Sequence, residues 1–478
     1  SYGGEAYSDF YSKMYPDMEW MDRNTSDLDK PMFVCEYAHA MGNAIGNLNE
    51  YWDVIENSNS CIGGCIWDWV DQAIFDPAEM KQNVYRLHTG YDYPGPHQGN
   101  FCSNGIIPAT REESAKLREV KGAHQWIRFA LKDSDAAKHT YNINIENRYV
   151  FSDLSAYDLL YEVLHDGRVV EAGRMAMPDV APGSEALLTL RLKRDAIAKA
   201  RKQGTEVLLN LRAVHRTATT WCEAGHEQAC AQFTLCERGG LPQVKKAKAV
   251  FANGTSLNSL HYGNGKAGIT IDATTGEMVS LELDGREMLG CGMPMGYTNH
   301  RWIENDRFAQ TTDGMEEKAE IKIEGFTYGG KAQSQPVVIT TLRRGSLCDT
   351  RIVYTLHAEG SIDIDATFTP HTADLRRAGL QVGLNRQLQH VDYYAYGPLE
   401  NYNDRHDAVM LGRYSTTPSS SMERYVKPQS TGNREGLREV CFTDFDGHGL
   451  RIQTEGDVSF SAVPYTEEDL MKADHTWE

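Results

Sequence analysis

No run of about 18 apolar residues occurs anywhere in the 478-residue chain, so no segment is expected to cross a bilayer as a helix and no membrane partner is expected. Basic charge is in deficit: 48 Lys and Arg stand against 67 Asp and Glu, a net charge of −19 spread along the chain and not gathered into a tail. That balance argues against nucleic acid as a partner. Cysteine is sparse, with ten residues in no dense framework. Cys61-x-x-x-Cys65 has no second Cys/His pair nearby, which excludes a zinc loop. Cys35 and Cys65 sit in apolar strand-like runs, and reduced, buried thiols are the expectation. The chain opens on Ser1 with neither a charged start nor an apolar core of signal-peptide type. Something removed or a fragment is the expectation, with a cytoplasmic location and any signal lying upstream. Internal repeats and low-complexity segments are absent as well.

What is there reads as a soluble, multidomain protein: 41% hydrophobic and 24% charged residues in a chain long enough for two to four cores. The organising stretch is Lys30 to Asn43, where the apolar run Met32-Phe33-Val34-Cys35 leads into Glu36 and then His39. A buried parallel strand delivers reactive groups at its C-terminal end in this way, which makes Glu36 the first candidate for chemistry. The alternative is a strand-end glutamate that only caps or forms a salt bridge. Tyr15, before Pro16, ends an earlier short strand over 7–15. Beyond Glu36 the spacing of Ile45, Leu48, Trp52 and Ile55 predicts a helix capped near Asn43, stopped at Asn57-Ser58-Asn59-Ser60. Gly63 to Asp71 then reads as another strand, completing a βαβ unit. Trp67 and Trp69 would share one face of it, as an aromatic wall for a sugar ring or as two core tryptophans.

Residues 84–107 read as a long polar loop ending at Phe101-Cys102-Ser103-Asn104-Gly105, and 111–119 as a helix. From Trp126 the period changes to two. Tyr141, Ile143 and Ile145 alternate with polar residues, as do Leu188, Leu190 and Leu192, and Val207, Leu209 and Leu211, with Asp166-Gly167 as a hairpin turn. An antiparallel β-sandwich of roughly 110 residues is expected. Gly239-Gly240-Leu241-Pro242 and the lysines after it form a linker. A second all-β region follows, with a turn at Asp284-Gly285 and a size that suggests a large two-layer sheet. Its polar clusters, 301–307 and 396–405, are ligand loops or buried polar corners, the corner being favoured.

The segments Cys35 to Asn43, Gly63 to Gln72, Phe101 to Gly105, Ala218 to His226 and Tyr396 to Arg405 together resemble glycoside hydrolase family 2, in its large bacterial β-galactosidase branch. The likeness covers nearly the whole chain and corresponds to the C-terminal half of that family's pattern. It implies the last three strands of a TIM (β/α)8 barrel over 1–124, an immunoglobulin-like β-sandwich over 125–236, a linker over 237–250, and a galactose-mutarotase-like β-supersandwich over 251–478. By the same resemblance Glu36 matches the nucleophile that forms a covalent glycosyl intermediate, and Tyr15 the tyrosine that hydrogen-bonds it. His39 matches a sugar-hydroxyl ligand and Trp67 the wall of the galactose pocket. The Phe101 carbonyl and the Asn104 side chain match part of a sodium site, with Asn104 also near substrate.

The departures carry expectations of their own. The family's acid/base glutamate, which follows an asparagine, and its magnesium ligands find no match in these 478 residues. A retaining glycosidase needs two carboxyl groups about 5–5.5 Å apart. The chain supplies one and is expected to be inactive alone, with the missing N-terminal half as its partner and a homo-oligomer as the family expectation. Gln98 stands where relatives commonly have Asp, and the chain stops at Glu478 where relatives continue. β-Glucuronidase, β-mannosidase and a non-catalytic carbohydrate-binding or assembly fragment remain the alternatives.

Overall fold

The computed structural model describes residues 7–135, 139–193, 196–290, 292–306 and 313–478. Its N-terminal part is built on three parallel strands in the order β1 (Tyr11–Met14), β2 (Met32–Tyr37) and β3 (Cys61–Ile66). Helix α1 (Met18–Asn24) follows β1, its first turn capped by the Asp17 side chain. Helix α2 (Leu48–Asn57) makes the crossover between β2 and β3. Met32 and Val34 of β2 are buried, and Met21, Tyr37, Leu48 and Ile55 close a core beneath the sheet.

Three expectations here need correction. Helix α2 begins at Leu48 and not near Asn43, because Ile45 and Asn47 hold φ values of 64° and 57° that no helix accepts. Strand β3 ends at Ile66, so Trp67 and Trp69 lie beyond it and share no strand face. The cysteines are free but mostly not buried: of the nine described, only Cys236 and Cys348 are buried, and Cys65 is exposed.

After a short antiparallel pair, β4 (Ile74–Phe75) with β5 (Leu87–His88) around α3 (Pro77–Met80), helix α4 runs over Ala115–Ala123 with Ser114 as its cap, starting four residues later than the charge pattern suggested. Two antiparallel sheets then share one hydrophobic core. One holds β6 (Ile127–Asp135), β7 (Thr140–Asn147) and β10 (Glu185–Arg191); the other holds β8 (Tyr157–His165), β9 (Arg168–Ala176), β11 (Val207–His215) and β12 (Glu227–Cys236). Alternation holds in β7, where Tyr141, Ile143, Ile145 and Asn147 are buried and their neighbours are not. It fails in β11, which is buried on both faces, because Leu208 packs on Tyr394 and Leu411 of the C-terminal region. Asp166 and Gly167 have φ values of 44° and 75°, as a two-residue hairpin turn demands.

The region beyond 249 is built of antiparallel strands, in five-stranded and four-stranded sheets. One core joins Ile269, Ile271 and Met278 to Val337, Ile339, Tyr354 and Leu356; a second gathers Val391, Tyr393, Val440 and Phe442. Asp284-Gly285 makes the expected turn. Of the cluster at 301–307, Arg307 lies outside the described residues. Among the described residues no helix is long and apolar enough to cross a membrane.

Candidate active site

The C-terminal ends of β1, β2 and β3 bring the sequence candidates together. Tyr15 directly follows β1, Glu36 is the penultimate residue of β2, His39 lies two residues past that strand, and Trp67 follows β3. Parallel pairing fixes this convergence, since neighbouring strands that run the same way end on the same side of the sheet. The Tyr15 N–H donates to the Glu36 carbonyl at 2.8 Å, and Tyr15 adopts φ 45° there. Burial first, and then the interaction of its phenol with the nearby Glu36 carboxylate, push the Tyr15 hydroxyl well above its ordinary pKa. A phenol raised in this way stays protonated and so is able to donate to that carboxylate.

His39 packs edge-on to Tyr15, with ring centroids 6.0 Å apart, and lies against Phe101 at 5.3 Å. Desolvation lowers its pKa, and Lys116 lowers it further while Glu36 opposes the shift, so the imidazole is held toward its neutral form. Its Nε2 is buried with no hydrogen-bond partner among the described residues, and so is Asn104 Oδ1. Two orphaned buried polar atoms at one site are expensive unless a ligand completes them. Asn104 itself is buried and its carbonyl accepts from Asp68 N–H at 2.7 Å. Trp67 is 38% exposed, and its carbonyl accepts from Ala40 N–H at 2.7 Å. Trp69, 58% exposed, points away from any core role, and the Asp68 carboxylate is spent on the Trp69 N–H and Gln72.

Lys116 and Asp71, not singled out from the sequence as site residues, brace the site, and the two polar clusters at 301–307 and 396–405 supply further braces. Lys116 is 5% exposed on α4 and donates to the Ala40 and Gly105 carbonyls, each at 2.6 Å. Desolvation pushes its pKa down to about 8, with Asp71 opposing the shift. Asp71 accepts from Gly105 N–H at 2.7 Å, and burial raises its own pKa. From the C-terminal region, Arg405 donates to the Ala44 carbonyl at 2.8 Å and to Asn43 Oδ1 at 3.2 Å, while Glu304 accepts from Asn100 beside Phe101. No local pattern marks Lys116, since a lysine on a charged helix ordinarily faces solvent. The 396–405 cluster is the favoured polar corner: Glu400 and Arg405 are each 2% exposed and joined at 2.6 Å.

The sodium ion implied by resemblance meets a fitting donor, since the unpaired Asn104 Oδ1 is a hard oxygen of the kind such a cation takes. Among the described residues the one group of three His, Cys, Asp or Glu side chains able to converge on a metal is Asp444, Asp446 and His448, on a turn outside the groups gathered around Glu36.

A strand-end carboxylate thus lies beside a phenol, a part-exposed indole and unpaired polar atoms, and comparison with known proteins gives the family whose pattern these residues follow. The model described as "Glycosyl hydrolases family 2, TIM barrel domain" matches residues 4–129, "Beta-galactosidase, domain 4" matches 143–236, and "Beta galactosidase small chain" matches 263–478. Three segments in consecutive order show the resemblance to glycoside hydrolase family 2 over nearly the whole chain, within its β-galactosidase branch. Among curated relatives, a β-galactosidase of Priestia megaterium is 27% identical over 98% of this chain and 45% of its own length. One from Actinobacillus pleuropneumoniae is 28% identical over 98% of this chain and 45% of its own length, and one from Streptococcus thermophilus 28% over 95% and 43%. The chain thus spans about half the length of the curated relatives it matches. A solved Bacteroides uniformis β-glucuronidase aligns at 12% identity over 79% of this chain and 45% of that one, with a TM-score of 0.20, too low to bear on the fold.

Proposed function

We propose that this chain carries the nucleophile side of a retaining β-galactosidase site. The observation that carries the reading is the Tyr15–Glu36 pair at the ends of adjacent parallel strands, beside the unpaired His39 Nε2 and Asn104 Oδ1. In this reading Glu36, as carboxylate, attacks the anomeric carbon of a terminal β-galactoside. The glycosidic bond breaks as an ester to Glu36 forms, and water later hydrolyses that ester. Tyr15 donates to the Glu36 carboxylate and steers the attacking oxygen. His39, neutral, hydrogen-bonds a sugar hydroxyl, and Trp67 supplies the face on which the pyranose C–H groups rest. The Phe101 carbonyl and Asn104 Oδ1 would hold a sodium ion, which supplies a positive charge for a sugar oxygen. Magnesium belongs to the acid/base side of the family's site and is given no role here.

The acid that protonates the leaving oxygen is assigned to a segment supplied from outside these 478 residues, and assembly with that segment and into a homo-oligomer is part of the proposal. So is the reading of the two sheets over 127–236 as an immunoglobulin-like sandwich, of 251–478 as a galactose-mutarotase-like supersandwich, and of the boundaries at 124, 236 and 250. Nine free thiols support a reducing, cytoplasmic compartment.

The test avoids the need for an acid. 2,4-Dinitrophenyl 2-deoxy-2-fluoro-β-galactoside has a leaving group that departs without protonation, so attack by Glu36 alone traps the ester. Intact-mass spectrometry should find one fluorogalactosyl adduct, mapped to Glu36 and absent from Glu36→Gln. Preferential labelling by the glucuronide or mannoside analogue would replace the galactosidase reading with one of those. An adduct in Glu36→Gln would remove the nucleophile assignment, and no adduct with any analogue would favour a non-catalytic fragment. Nitrophenyl-galactoside turnover should be at background for the chain alone.

A further inference from the structure

Two turns present the unpaired polar atoms of the site. His39 precedes Ala40, and Asn104 precedes Gly105, so each carbonyl bound by Lys116 belongs to the residue immediately after a candidate ligand. The segment after β3 links the same two turns through backbone alone: Ala40 N–H donates to the Trp67 carbonyl at 2.7 Å, and Asp68 N–H to the Asn104 carbonyl at 2.7 Å. The Lys116 ammonium is the side chain that spans them directly, reached from α4 and lying 5.8 Å from the centre of the Tyr425 ring. A buried cation is costly, and an apolar residue of the same length would fill the space without that cost. What the ammonium adds is a pair of charge-assisted bonds to two carbonyls that cannot satisfy each other.

We propose that Lys116 is a positioning residue for ligand binding, whose ammonium clamps the turn after His39 to the turn after Asn104 so that both are held at one site, the free imidazole nitrogen for a sugar hydroxyl and the free amide oxygen for the sodium ion beside it. The proposal rests on the galactoside reading of the site for the identity of the ligand, but not for the clamp. Hydrogens-for-deuterium exchange of the full chain, read by mass spectrometry, tests the clamp, and D-galactose in the presence of NaCl is the binding probe.

In Lys116→Met, peptides covering 38–43 and 101–106 should exchange faster together, while peptides of the distant strands over 348–370 keep their parental rates. Loss of two charge-assisted bonds predicts D-galactose affinity weaker by about tenfold or more. Lys116→Arg, which can still donate to both carbonyls, should restore joint protection and most of the affinity. Faster exchange in one turn only, or unchanged D-galactose affinity in a folded Lys116→Met, overturns the proposal. Should Lys116→Met fail to fold, the arginine variant decides: joint protection with retained affinity supports the clamp, and parental exchange with lost affinity overturns it. A parental chain that binds no D-galactose while Lys116→Met loosens both turns would overturn the sugar reading and leave the clamp standing.

Discussion

Glu119 lies on the same helix as Lys116 and shows what burial does to a single group. It is 3% exposed and accepts from Asp407 and Ala408 N–H groups at 3.3 and 3.4 Å. Desolvation first, and the Asp407 charge second, push its carboxyl up to about 7. A carboxyl raised on folding contributes stability that is complete below its unfolded pKa and is lost as pH rises through the folded one. Melting temperature should therefore fall between about pH 5 and about pH 8, and Glu119→Gln should flatten that fall, as thermal scans across the range would show. Glu36 and His39 were legible in sequence because an apolar run ending in polar residues is a local signal. Glu119 and Lys116 were not. Their neighbours in sequence are those of any solvent-facing helix, and their partners come from other elements, Asp407 and Ala408 for Glu119, and Ala40 and Gly105 for Lys116.

At the scale of elements, the period of two in β7 was readable because one face meets a core and the other meets solvent. Ile143 is fully buried in that core, and Ile143→Ala should cost about 2–5 kcal/mol, seen as a lower denaturant midpoint with an unchanged slope. Gly105 makes a sharper case, since a Cβ there would stand 2.0 Å from the Asp71 nitrogen, which is backbone and cannot swing aside. Gly105→Ala should shift the Asn104 turn and weaken D-galactose binding more than it lowers the melting temperature. The start of α2 and the end of β3 were misplaced for one reason: the spacing of apolar residues continues through Ile45 and Trp67, while the backbone there has already turned. A hydrophobic pattern records which residues are apolar, not where the φ angles change.

Across the whole molecule, buried charged seams join the three regions. Glu206, 1% exposed on the strand-leading turn before β11, is held by Arg438 at 2.9 Å and by the Tyr394 hydroxyl, both from the C-terminal region. Removing one partner of such a pair leaves a buried charge unpaired, so Glu206→Ala should cost about 3–5 kcal/mol. Calorimetry should show it as separation of one unfolding transition into two. Further along, Glu400 accepts from Arg405, Tyr425, Thr431 and the Gly432 N–H, and the same Arg405 reaches the Asn43 loop behind the candidate nucleophile. The C-terminal β region is thus part of the frame that holds the site. By itself the sequence determined the alternation of β7, the turns at Asp166-Gly167 and Asp284-Gly285, the strand end that carries Glu36, and the family resemblance, because each is written in adjacent residues. Only the tertiary structure decided that β11 is covered on both faces, that Lys116 is a buried bridge, and that Arg405 braces the loop after β2. Those depend on which surfaces meet, and contact between residues far apart in the chain leaves no local pattern to read.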